Sequence, residues 1–189
     1  VSLVLVQWPT HTSAIINATI IFRKEGITVS PQEIKAQKLT DIYRALLAIL
    51  SRQPMATITI SALCQQANVS RTYFYREFGD FETIINKYQE RAIFHYIRQL
   101  PDHQLMGLQD AMVYYFQYVA DSADEQRLLV RCGRTTTLIR TFEHAFTRLI
   151  TTQRLTNSAR LAARPYYVQF LAAGVVNMSI SWLKADMPE

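Results

Sequence analysis

The chain is poor in the residues that punctuate or crosslink a fold. It has five glycines and six prolines in 189 residues. So few turn formers exclude a collagen-like or linker-rich chain and leave room for long helices. Strand signals are as sparse: "TITI" at 57–60 alternates, but four residues do not make a sheet. There are two cysteines, Cys64 and Cys132, far apart and without a C-x-x-C pair or a histidine at ligand spacing. A disulfide framework or zinc site is therefore not expected, and two reduced thiols fit a cytoplasmic location. Long apolar runs are missing too. "VSLVLVQW" and "AIINATIIF" are divided by "PTHTS", and neither reaches the ~18–20 residues of a membrane span. No positively charged segment precedes them, so neither a secretory signal nor a membrane partner is expected. Residues 1–30 receive no function.

Catalytic patterns are absent as well. His11, His95, His103 and His144 are scattered. No H-E-x-x-H, phosphate-binding glycine loop, nucleophile elbow or paired carboxylates accompany them. Asp124 and Glu125 read as a helix start. The chain is expected not to be an enzyme and to need no cofactor or metal.

Against these absences stand an apolar fraction of 49% and a net charge of +5. The excess charge sits mainly in residues 31–100, where a polyanion is the natural partner. Apolar periodicity predicts helices. The first runs from Pro31 to Gln53, capped by Ser30 and ended by Pro54, with Ile34, Ile42, Leu46, Ile49 and Leu50 on one face. A later one, from Asp80 to Leu100, buries Phe81, Ile84, Ile85, Tyr88, Ala92 and Tyr96 and stops at Pro101. Three more cover about 105–121, 124–154 with a break near Gly133, and 164–184. Residues 155–163 form a loop with partial helix.

Between the first two lies "SALCQQANVSRTYFYREF", Ser61 to Phe78. Thr59 is placed to cap one short helix, with Ile58 stapling to Leu63. Ser70 caps a second, with Val69 stapling to Phe74. Asn68 in the connector is at ease in a left-handed conformation. Two short helices fixed at a steep angle by a tight link make a helix-turn-helix. In that motif the start of the second helix meets base edges. Here Arg71, Thr72 and Tyr73 are the readers, since Arg can donate twice to guanine and Thr can touch a thymine methyl. Tyr75, Ser70 and Thr59 contact or position phosphates, and Phe74 and Phe78 turn inward.

These residues resemble the DNA-binding domain of the TetR family of transcriptional regulators. Thr59, Leu63, Ala67, Val69, Ser70, Tyr75, Phe78 and Ile84 carry the likeness, and "SRTYFYREF" is close to a Ser-Arg-(Ser/Thr)-Thr-Phe-Tyr-x-x-Phe branch. Cys64 replaces an alanine, Asn68 a glycine, and Phe81 a lysine that approaches a phosphate in the family. Lys87, with Lys35 and Lys38, is placed to compensate. The segment Tyr166 to Pro188 resembles the last helix of a subgroup, through Phe170, Leu171, Gly174, Trp182 and Leu183.

The resemblance implies an all-α protein with three parts. They are an extension over 1–30, a three-helix helix-turn-helix domain over 31–79, and a linking helix with a ligand-binding and dimerisation domain over 80–189. It implies a homodimer on a pseudo-palindromic double-stranded operator, a small-molecule effector, and usually repression. The alternative is a co-activator or interaction protein with weakened direct DNA binding. Dimer contacts fall to Phe170, Ala173, Gly174, Asn177, Ile180 and Ser181, which mix large and small residues on a broad face. Effector contacts fall to Tyr88, Tyr96, Tyr115, Tyr118, Tyr167 and Trp182. Arg131, flanked at helical spacing by Arg127 and Arg134, is placed to meet an anionic ligand.

Overall fold

In a computed structural model that describes residues 30–99 and 105–187, the protein is all-α. Contacts divide the chain into Val1–Ile34 and Lys35–Glu189. Of the first unit the described residues are the start of helix α1, Pro31–Leu50. Ser30 and Glu33 cap it reciprocally: Glu33 N–H donates to Ser30 Oγ at 3.2 Å, and Ser30 N–H donates to Glu33 Oε2 at 2.7 Å. The helix gives way to a turn at Ser51, before Pro54 starts a single 3-10 turn over Met55–Thr57.

Helices α2, Ile60–Gln66, and α3, Arg71–Glu77, follow. Helix α4 is Phe81–Gln99, with Asp80 Oδ1 accepting Thr83 N–H at 2.7 Å. Leu100 and Pro101 lie outside the described residues. Then come α5, Leu108–Asp121, α6, Ala123–Arg131, and α7, Thr135–Thr151. The expected break falls between α6 and α7, where Gly133 has φ +72°, a conformation that glycine takes without strain. Short α8, Ser158–Ala162, precedes α9, Tyr167–Lys184. Among the described residues the nearest thing to a sheet is one bridge between Met106 and Leu155.

Helix α7 is the hub, packing on α4, α8 and α9. Phe142, Ala145, Phe146, Leu149 and Ile150 on α7 belong to a single buried cluster that extends from Ile42 on α1 to Ile180 on α9. The inward face of α4 is rotated from the expected one. Ile84, Ile85, Gln89, Ile93 and Ile97 are buried, whereas Phe81, Tyr88, Ala92 and Tyr96 are half-buried. Ile34 on α1 is exposed and Tyr43 is fully buried. No helix among the described residues is long and apolar enough to cross a membrane. No group of three or more His, Cys, Asp and Glu side chains there is placed to hold a metal ion.

Candidate nucleic-acid interface and the bundle behind it

Both caps of the helix-turn-helix form as their residues require. Thr59 Oγ1 accepts Ala62 N–H at 3.2 Å, and Ser70 Oγ accepts Tyr73 N–H at 3.1 Å. Each hydroxyl satisfies one of the donors that a helix start leaves without a partner. Asn68 between them has φ 52°. Its left-handed backbone turns the chain so that Val69 N–H returns to Cys64 O at 3.0 Å, closing the end of α2. Ile58, Leu63 and Phe74 are buried and Val69 is half-buried, so both staples have apolar partners.

Helix α3 divides sharply into an anchored and an open face. Phe74 is fully buried, and its ring meets Phe78 at 6.3 Å and Phe81 at 6.0 Å. Arg71, Thr72, Tyr75 and Arg76 are exposed. Among the described residues no ion pair engages the Arg71 guanidinium. Tyr73 is less free than the sequence suggested: it is half-buried, with Lys38 Nζ 4.7 Å above its ring and Phe78 edge-on at 5.9 Å. Burial pushes its phenol above the ordinary value.

Lys87 has a local task. Its ammonium donates to Glu77 O at 2.6 Å, placing a cation on the negative end of α3. Lys35 approaches the Glu77 carboxylate at 4.0 Å, and Arg76 reaches it at 3.0 Å. The Arg76 bond holds that carboxyl below its usual range. Phe81, where the family resemblance implied lysine, packs on Phe74 instead of presenting a charge.

The aromatic side chains expected to line an effector site do not converge on one cavity. Tyr96 and Tyr115 face a cavity of about 40 Å³ among Ile93, Phe142, Phe146 and Leu149. That is room for a few waters, far below the ~300–1,000 Å³ of a ligand pocket. Desolvation pushes both phenols up to about 12, and Tyr115 shares a 3.1 Å hydrogen bond with Ser179. Tyr118 leans on Tyr96 with the ring planes tilted at 58° and the centroids 5.3 Å apart. Tyr88 lies flat on Tyr43 at 3.7 Å. Trp182 lines a separate open groove with Met112, Val113 and Phe116. Tyr167 is half-buried beside Arg164, and Arg131 is exposed. Around the small cavity the rings pack on one another and take up the space. Arg127 pairs with Asp124 and Asp186, and Arg134 with Glu82, so the three arginines do not form a joint anion site.

Helix α9 presents an apolar outer strip. Phe170 is 78% exposed and Met178 54%, with Gly174, Asn177 and Ser181 exposed between and beside them. Ala173 is half-buried. Ile180 corrects the expected dimer face: it is 7% exposed and belongs to the core with Val176 and Leu183. It follows Val176 by four positions and so shares that residue's inward side.

A polar group that the sequence did not single out lies behind the helix-turn-helix. The Tyr43 hydroxyl donates to Glu125 Oε1 at 2.7 Å. Gln89 Nε2 donates to the same oxygen at 2.6 Å and to the Tyr43 hydroxyl at 2.9 Å. Nearby, Glu82 accepts from Thr137 at 2.9 Å and pairs with Arg134. The available signal was Gln89 itself, a polar residue four positions after Ile85 and four before Ile93.

No family model matches the chain, and no curated protein sequence does. Among solved structures, Lin0861 from Listeria innocua superposes with a TM-score of 0.70 at 14% identity, covering 85% of each chain. At that identity the likeness speaks to the fold alone.

Proposed function

We propose that this chain is a DNA-binding transcription regulator of the TetR type, acting as a homodimer and responsive to a small molecule. The observation that carries the reading is the open face of α3. Arg71 and Thr72 stand outward at its start, while fully buried Phe74 fixes the helix from beneath. Arg71 reads a base, Thr72 touches a neighbouring one, and Tyr75 and the cap residues Thr59 and Ser70 seat the phosphates. Two such helices would enter successive major grooves about 34–36 Å apart on a pseudo-palindromic operator. The apolar strip of α9 supports a second copy of the chain as its cover, since exposed apolar surface of that kind marks association. An effector would have to part the rings around the small cavity, and motion of α4 would then alter the spacing between the readers.

A second reading is an interaction protein with weakened direct DNA binding. Phe81 favours it, because an aromatic ring stands where the family resemblance implied a phosphate-contacting lysine, and Lys87 is occupied at Glu77 O. Fluorescence anisotropy against duplexes from the DNA flanking its own gene, at several salt concentrations, separates the two. Saturable binding to one duplex with a steep negative salt slope supports the regulator. Binding only when another protein is added supports the alternative.

A further inference from the structure

The Tyr43–Gln89–Glu125 group ties three helices that are remote in sequence: α1, α4 and α6. One carboxylate oxygen receives both donors. Tyr43 and Gln89 are fully buried. No described cation reaches Glu125 within ion-pair distance, so its direct hydrogen-bond partners are the neutral donors of Tyr43 and Gln89, with the exposed Arg44 charge acting from farther off. Glu125 itself is half-buried, and taking even part of a carboxylate out of water is costly where an apolar trio would pack without the penalty. Gln89 Oε1 is also buried with no hydrogen-bond partner. The arrangement is therefore incomplete in one specific place: it lacks a donor for that oxygen.

We propose that Glu125 is a positioning residue whose Oε1 seats α1 on α4, so that the C-terminal region sets the pose of the helix-turn-helix through a joint with two hydrogen-bond arrangements. In the first, the carboxylate accepts from Tyr43 and Gln89 and leaves Gln89 Oε1 unsatisfied. In the second, Glu125 carries a proton and the Gln89 amide turns over, so that its Oε1 accepts from the new O–H and its Nε2 takes the place that has no partner. The groups facing Glu125 are Tyr43 and Arg44 from α1, Tyr88 and Gln89 from α4, and Tyr118 from α5. Burial outweighs the Tyr43 and Gln89 bonds and the exposed Arg44 charge, holding the Glu125 carboxyl above its ordinary value. The folded joint thus binds a proton more tightly than the opened one. Its stability is greatest at low pH and falls as pH rises through the folded value. The proposal rests on the regulator reading for its consequence, but its geometry does not.

The test is hydrogen exchange of the whole chain without DNA, with a binding titration beside it. Glu125→Ala is expected to lower protection of the α1, α2 and α3 amides about ten-fold, while α7 and α9 keep theirs. Wild-type protection of α1, corrected for intrinsic exchange, should rise from about pH 8 to about pH 5, and Glu125→Gln should remove that slope. If Glu125→Ala does not fold, Tyr43→Phe keeps the ring on Tyr88 and removes only the hydroxyl, so it should lower α1 protection in the same selective way. Unchanged protection, equal loss in every helix, or a pH slope surviving in Glu125→Gln overturns the joint. The titration uses duplexes from DNA flanking the gene. Selective loss of protection with no duplex bound would sink the regulator reading and leave the joint standing. Normal duplex binding with unmoved protection would do the reverse.

Discussion

Helices α3 and α9 each hold one face to the core and turn the other outward, with opposite chemistry. On α3 the outward residues are Arg71, Thr72, Tyr75 and Arg76; on α9 they include the apolar strip Phe170, Gly174 and Met178, beside the polar Asn177 and Ser181. Water satisfies the polar set without help, so exposure there carries no penalty. Water is a poor neighbour for Phe170 and Met178, so that strip gains by being covered. The anchors differ as well. Seven-residue α3 hangs on one fully buried ring, Phe74, whereas eighteen-residue α9 spreads its burial over Ala172, Val175, Val176, Ile180 and Leu183. A short helix has too few turns for distributed packing and depends on its caps, its staple and a single large side chain.

That contrast sets the order of expected effects. Phe74→Ala should cost about 3–5 kcal/mol of unfolding free energy, read by chemical denaturation, because the ring is buried entirely. A loss below about 1 kcal/mol would mean that α3 is held some other way. Phe170→Glu should leave the monomer folded and weaken self-association by at least about 2 kcal/mol in analytical ultracentrifugation. A dimer as tight as the wild type would place the interface elsewhere. Arg71→Ala should lower affinity for a specific duplex by about 1–3 kcal/mol and relax one base position. Equal loss on every sequence would assign Arg71 to phosphate alone. The smallest change is Phe81→Lys, which should steepen the salt dependence by about 0.9 in log–log slope, one added phosphate contact. Its cost to the Phe74 contact is read separately by denaturation, and an unaltered slope would show that position 81 does not face the duplex.

The caps, the staples, the Asn68 turn and the break at Gly133 were legible because each is settled within a few residues. Thr59 and Ser70 find their partners three positions away, and φ at Asn68 follows from its own side chain. The faces of α4 and α9 were legible only roughly. Apolar residues surround both helices, and whether Tyr96 or Ile97 points inward depends on where α7 and α5 cross. The size of the cavity beside the tyrosines was out of reach for a related reason. The mutual packing of Tyr96, Tyr115 and Tyr118, not their positions along the chain, decides whether a cavity remains. Glu125 read as a helix start and does lie in the first turn of α6; its partners at Tyr43 and Gln89 come from 82 and 36 residues away.

The amino-acid order alone determined an all-helical chain, the ends of its short helices, and a tight turn that throws Arg71 and Thr72 to the front of α3. These rest on hydrogen bonds and staples closed inside a turn or two of backbone. Tertiary structure decided which rings fill the interior, which side of α9 is left uncovered, and that a half-buried glutamate bridges α1 and α4. Those outcomes depend on how remote helices cross, and a local pattern of apolar residues does not specify a crossing.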